Sequence, residues 1–288
     1  MPHLGKFRKG WESENIARFI LYKISFIAHP ATIADDVGSD FFCTLFHSKV
    51  ESGNEYLIPR SSFAIQIKSN TKSFDVSNKI GYLNNLELPF FVGVVERDNL
   101  KLKIYSGEYI PAFFSYKGIP KSLKIELCEK EVISGFQDYL EEAIEGQYKI
   151  RFPRLVDINA DDHGEDLQLK AEILEARSQI IYENIISKRK CEYLFKDIIG
   201  TETYVSIIAG SGSYNVYRNN LVERLAEAFV NLRWILLNEK DKFIHDEFLA
   251  YEQLFNNLKR LEAHYVELPG YLHKYYSELK DLVNNMAK

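Results

Sequence analysis

Apolar side chains at Ile16, Ala17, Phe19, Ile20, Ile24 and Ile27 recur three and four positions apart, which puts them on one side of a helix. Residues 11–28 are therefore expected to be helical, with Pro30 as the stop. After a turn containing Asp35, Asp36, Gly38 and Ser39, residues 40–50 are rich in Phe, Thr, Leu and Val and read as a strand. Glu51, Ser52, Gly53 and Asn54 supply a hairpin turn. Residues 62–69 then alternate with a period of two, so that Phe63, Ile65 and Ile67 face one way and Ala64, Gln66 and Lys68 the other. A short polar helix over 77–85 leads to a very apolar strand at 89–95. Arg97, Asp98 and Asn99 turn the chain into a further strand at 100–105. Strand-like stretches follow at 109–116 and 122–128, and a helix is expected over 132–145.

Pro153, Asp157, Asp161, Asp162 and Gly164 break the pattern over 151–166. Helical periodicity dominates after it, at 167–190, 216–239, 243–266 and 271–286, with a glycine- and serine-rich connection at 207–213. This organisation predicts an α/β domain over residues 1–155, a mixed β-sheet flanked by helices, followed by an all-α domain over 156–288.

The 288-residue length permits two such domains, and an apolar fraction of 46% with 19 Phe and 18 Tyr is ample for packed cores. The net charge of −5 argues against a protein that coats nucleic acid through its overall field, so a polyanion would have to be held by a local patch. Cys43, Cys128 and Cys191 have no metal-ligand spacing and do not make a disulfide framework. No apolar run of signal-peptide or membrane-spanning length is present, and a cytoplasmic location is the expectation.

One constellation carries chemistry. Asp40 follows the Gly38, Ser39 turn at the mouth of one strand, and Gln66 and Lys68 share a face of the next, so hairpin pairing brings them together. Asp40 offers a hard oxygen ligand of the kind magnesium takes, and Gln66 can add its amide oxygen or position a water. The main-chain carbonyl of Ile67 is a further oxygen, and Lys68 a compact cation for charge developing on a phosphate. Glu12 and Glu14, near the start of the first helix, are carboxylates able to turn toward the sheet.

In order, spacing and strand context these segments resemble the PD-(D/E)xK nuclease superfamily, the restriction-endonuclease-like families with a QxK variant of the second motif. The resemblance rests on Gly10, Trp11, Glu12, Ser13, Glu14; on Asp36, Val37, Gly38, Ser39, Asp40; and on Ile65, Gln66, Ile67, Lys68, Ser69, and it covers about residues 5–130. It implies a Mg2+ or Mn2+ site built from Asp40, Gln66, Ile67 and Glu14, less readily Glu12, with Lys68 catalytic. Gln66 stands where a second acidic ligand is usual, leaving one fewer negative charge on the metal. The implied activity is metal-dependent hydrolysis of DNA in a prokaryotic restriction or anti-phage system. The competing reading is an inactive nuclease-fold subunit serving as a scaffold or nucleic-acid grip, and RNA stays open as a substrate.

Other features are weighed less heavily. Asp35 and Asp36 read first as solvated loop acids, His29 as a helix-end residue, and Gly210, Ser211, Gly212 and Ser213 as a linker rather than a phosphate loop, since no Lys follows in the required position. The run Lys188, Arg189, Lys190 suits a helix carboxyl terminus, or a phosphate backbone. Tyr265, Tyr271, Tyr275 and Tyr276 have the spacing of packing residues. Val222, Leu225, Phe229, Leu232, Leu236 and Leu237 form apolar stripes expected to dock a partner subunit or a second copy.

Overall fold

The structure, a computed structural model, describes residues 3–28, 38–51, 53–129, 136–190, 194–199, 202–207, 214–238, 245–262, 268 and 270–286. His29, Pro30, Asp35, Asp36, Cys191, the 210–213 stretch and Tyr265 lie outside the described residues. Among the described residues no helix is long and apolar enough to cross a membrane.

Helix α1 (His3–Leu21) leads into β1 (Ser25–Ala28), β2 (Phe41–Glu51) and β3 (Asn54–Lys68), an antiparallel meander. The first helix thus stops at Leu21 rather than running on to residue 28. Bonds spanning three residues tie off its last carbonyls, from Lys23 N to Ile20 O and from Ile24 N to Leu21 O. The Ser25 hydroxyl also donates to Leu21 O, at 2.8 Å. Ile24 stays buried through this turn, so the three-residue apolar spacing continues after the helix has ended.

Strand β4 (Phe74–Asp75), a 3-10 turn at Ser77–Lys79 and helix α2 (Ile80–Asn85) then cross to β5 (Phe90–Glu96), which pairs parallel with β3. Six of the seven residues of β5 are buried, as expected for a central strand covered on both faces. Next come β6 (Lys101–Ser106), α3 (Ile110–Lys117), β7 (Ser122–Cys128), a 3-10 turn at Phe136–Tyr139, β8 (Leu140–Ile144), β9 (Gln147–Asn159) and α4 (Gly164–Arg189). The result is a nine-stranded mixed sheet in the order β1-β2-β3-β5-β6-β9-β7-β4, with β8 paired to β9.

Two cores sandwich the sheet. On one face, Ala17, Ile20 and Leu21 of α1 and Leu174, Ile181 and Ile185 of α4 pack on Phe63, Ile65, Ile67, Phe91, Leu102 and Ile104. On the other, Ile80 and Leu83 of α2 and Ile110 and Phe113 of α3 pack on Ala64, Phe90, Val92, Val94 and Tyr105. The alternation read in residues 62–69 is therefore a true division of faces.

Three further elements differ from the expectation. Residues 110–117 form a helix, not a strand: Pro111 sits in the first turn, where it is tolerated, and Ile110 through Phe114 are all buried, so the segment is apolar all round and carries no helical period. The expected helix over 132–145 is instead a 3-10 turn at Phe136–Tyr139 followed by β8, the described part of that stretch. Residues 151–159 are not a break but the larger part of β9, whose alternating Phe152, Val156 and Ile158 are buried.

The boundary at 155/156 accordingly falls inside a strand. The first compact unit comprises Met1–Arg189 and Tyr193–Ser211, and so includes α4 and the hairpin of β10 (Leu194–Ile199) and β11 (Glu202–Ile207). Asn184 of α4 fastens that hairpin, donating to Lys196 O and accepting from Lys196 N, both at 2.7 Å.

The second unit, Lys190–Glu192 with Gly212–Lys288, contains α5 (Tyr214–Asn238), α6 (His245–Glu262) and α7 (Gly270–Met286). Its core joins Val222, Phe229 and Leu236 to Tyr251, Phe255, Leu258, Leu272 and Leu279. Phe229 stacks on Tyr251 and Phe255 on Tyr276, each pair at 4.1 Å. The stripe expected to dock a partner is therefore spent on the neighbouring helices: Leu225, Leu232 and Leu237 also pack against this core.

Candidate active site

The hairpin register determines the site. Phe41 pairs with Ile65, and the ladder continues one residue further because Asp40 N donates to Ile65 O at 2.9 Å. There the backbone of β2 leaves the sheet, and the Asp40 carboxylate replaces the next carbonyl: Ile67 N donates to Asp40 Oδ2 at 2.5 Å. In a strand the N–H and C=O of one residue leave the same edge, so the Ile67 carbonyl faces the edge that Asp40 occupies.

Gln66 and Lys68 flank Ile67 and turn to the face covered by α2 and α3. Gln66 is 9% exposed, and its side-chain amide is not among the fully buried polar atoms that lack a partner, so it keeps contact with solvent. The Lys68 ammonium lies 4.4 Å from the centroid of the Phe74 ring. Burial holds its pKa below the usual lysine value; the charge of Asp40 opposes that shift and the charge of Lys79 adds to it.

Lys79 and Tyr82 complete the surroundings. The Tyr82 hydroxyl hydrogen-bonds the Ser39 hydroxyl at 2.8 Å, and burial raises its pKa. Gly38 has φ of +104°, and a Cβ placed there would sit 2.8 Å from the Tyr82 ring and 3.4 Å from Lys79 Cδ. The turn that delivers Asp40 is thus pressed against the crossover between β3 and β5. Gly38→Ala is expected to cost about 2 kcal/mol, because it combines a left-handed backbone with a clash on an aromatic ring. Urea denaturation of the purified protein would measure it.

Glu12 and Glu14 approach from α1, on the opposite face of the sheet but at the same end. Glu12 pairs with Arg97, just past β5, at 3.3 Å, and so is drawn to that turn rather than to Asp40. Glu14 is half-buried beside the buried Ser13. Among the described residues no group of three or more His, Cys, Asp or Glu could hold a metal ion, so the oxygen donors gathered here are one carboxylate, one amide and one main-chain carbonyl. Magnesium, which keeps several waters, accepts so sparse a set of oxygen donors.

Beyond Ser69 an open groove of about 690 Å³ runs over the ends of β3 and β5, lined by Asn70, Thr71, Glu96, Arg97, Asn99 and Lys103 among others. The basic run at the end of α4 is not part of this site. Lys188 donates to the Asn84 carbonyl and lies 5.5 Å from the Phe114 ring centroid, while Arg189 pairs with Glu87 at 3.1 Å.

Lys79, Tyr82 and Phe74 went unread in the sequence. They reach the site through the crossover rather than through a strand period, and no spacing rule links residue 79 to residue 38. Comparison with protein-family models, curated proteins and solved structures gives no significant match.

Proposed function

We propose that the first unit is a metal-dependent phosphodiesterase acting on DNA, built on a PD-(D/E)xK-like plan, of the kind used in prokaryotic restriction and anti-phage defence. The carrying observation is the convergence of Asp40, Gln66 and Lys68: the Asp40 carboxylate accepts the N–H of the residue between the other two, and its charge acts on Lys68. Asp40, the Gln66 amide oxygen and the Ile67 carbonyl would hold Mg2+ or Mn2+. Bound there, the cation would polarise a phosphoryl oxygen and lower the pKa of an attacking water. Lys68 would hold the phosphate and meet its developing charge, and Phe74 and Tyr82 would keep the lysine and the Asp40 turn in place.

Plasmid DNA incubated with the protein across a Mg2+ and Mn2+ titration is expected to be cut, and to stay intact with Asp40→Ala. Intact plasmid under every metal condition would favour the second reading, a nuclease-fold scaffold, which Gln66 in place of an acid supports. Gln66→Glu supplies the missing negative charge and is expected to tighten Mn2+ binding by about tenfold, read by calorimetry without any nucleic acid.

A further inference from the structure

Lys103 stands in the same row of the sheet as Lys68. Lys68 pairs with Val94, and Val94 pairs with Lys103. Register partners point to one face of a sheet, and the packing agrees, since Ala64, Val92, Val94 and Tyr105 share the core on the α2 and α3 side. Two strand spacings separate the lysine Cα atoms by about 10 Å. Two flexible lysine stems at that spacing can reach neighbouring phosphates of one backbone. The open groove begins at Ser69, beside Lys68, and includes Lys103 and the side-chain amides of Asn70 and Asn99.

Resting on the phosphodiesterase reading above, we infer that this groove seats the nucleotides next to the scissile phosphate, with Lys103 holding a second backbone phosphate and Glu96 its internal competitor. The Lys103 ammonium donates to Glu96 at 2.7 Å and lies 3.8 Å from Glu129. Its hydrogen bond to Glu96 raises the lysine pKa and lowers that of the glutamate, so both are charged at neutral pH. The pair is partly exposed and so only weakly stabilising, and charge-assisted bonds to a phosphate replace it at little cost. The glutamate holds the ammonium ready in the row, then gives it up.

The test is binding of a labelled DNA duplex without divalent metal, by fluorescence anisotropy over a salt series. Lys103→Ala is expected to weaken binding about five- to tenfold and to reduce the slope of log K against log salt by about 0.9, one phosphate contact. Glu96→Gln is expected to tighten binding several-fold, because the competitor loses its charge. Lys149→Ala, which removes a lysine paired with Glu141 on β8, serves as the control and should change neither quantity. If Lys103→Ala matches the wild type, or if Glu96→Gln weakens binding as a purely structural pair would, the inference is overturned while metal-dependent cleavage stands. If the wild type binds no DNA at low salt, the inference and the phosphodiesterase reading fall together.

Discussion

Lys68→Met is expected to abolish the proposed metal-dependent cleavage and, at the same time, to make the protein more stable. The loss should be about 100- to 1000-fold in kcat, the usual consequence of removing one preorganised donor from a developing charge. Lys68→Arg should recover little of it, because a planar fork does not replace a compact ammonium beside the Phe74 ring. The gain in stability follows from the direction of the pKa. Burial makes the folded protein hold the Lys68 proton less tightly than the unfolded chain does. The charged form therefore costs stability below the folded pKa, and the cost is relieved as pH rises from there toward the unfolded value. Methionine keeps the length of the stem and removes the charge. If cleavage needs the ammonium, its alkaline limb should fall at a lower pH than an ordinary lysine would give. Cleavage by Lys68→Met at the wild-type rate would remove Lys68 from the chemistry; a drop in its unfolding free energy would show that the ammonium is favourably held in the folded state.

Asp40, Gln66 and Lys68 were legible because a hairpin is local. Once residues 40–50 and 62–69 read as strands joined by a turn, their pairing follows, and with it which side chains meet. Helices α5, α6 and α7 were equally plain, since each buries one stripe for many turns. What the stripe touches was not legible: Phe229 looks the same in sequence whether it meets Tyr251 of its own chain or a second protein. Periodicity also fails where both sides of an element are covered, as in α3 between sheet and helices, where Ile110 to Phe114 are all buried. It misled again in β9, where Pro153 and Asp157 read as breakers. Besides β8, strand β9 pairs with β7 up to Pro153 and with β6 from Arg154 onward, so the proline sits where the partner changes. Lys79 and Lys103 needed the assembled sheet, because crossover and register, not spacing, bring them beside Lys68.

Arg177→Met is expected to destabilise the first unit by about 3–5 kcal/mol, the cost of leaving one member of a buried ion pair behind. Arg177 of α4 meets Glu108, in the turn between β6 and α3, at 2.6 Å, and their side chains are only 14% and 8% exposed. The Ser106 hydroxyl donates to the same carboxylate oxygen at 3.0 Å, and a neutral bond does not replace a guanidinium. This contact, together with Leu174, Ile181 and Ile185 on the sheet, explains why α4 belongs with the strands although its sequence reads as the first helix of an all-α half. For a unit of this size the loss should lower its melting temperature by about 10 °C, at roughly 2–4 °C per kcal/mol. Scanning calorimetry suits the measurement, because a chain of two units need not unfold in one step. The double variant Arg177→Met, Glu108→Leu should recover most of the loss, since two apolar groups of similar volume often replace a buried pair without penalty. Equal destabilisation in the single and double variants would mean that α4 is held by packing around the arginine stem, and that the charge pair itself contributes little.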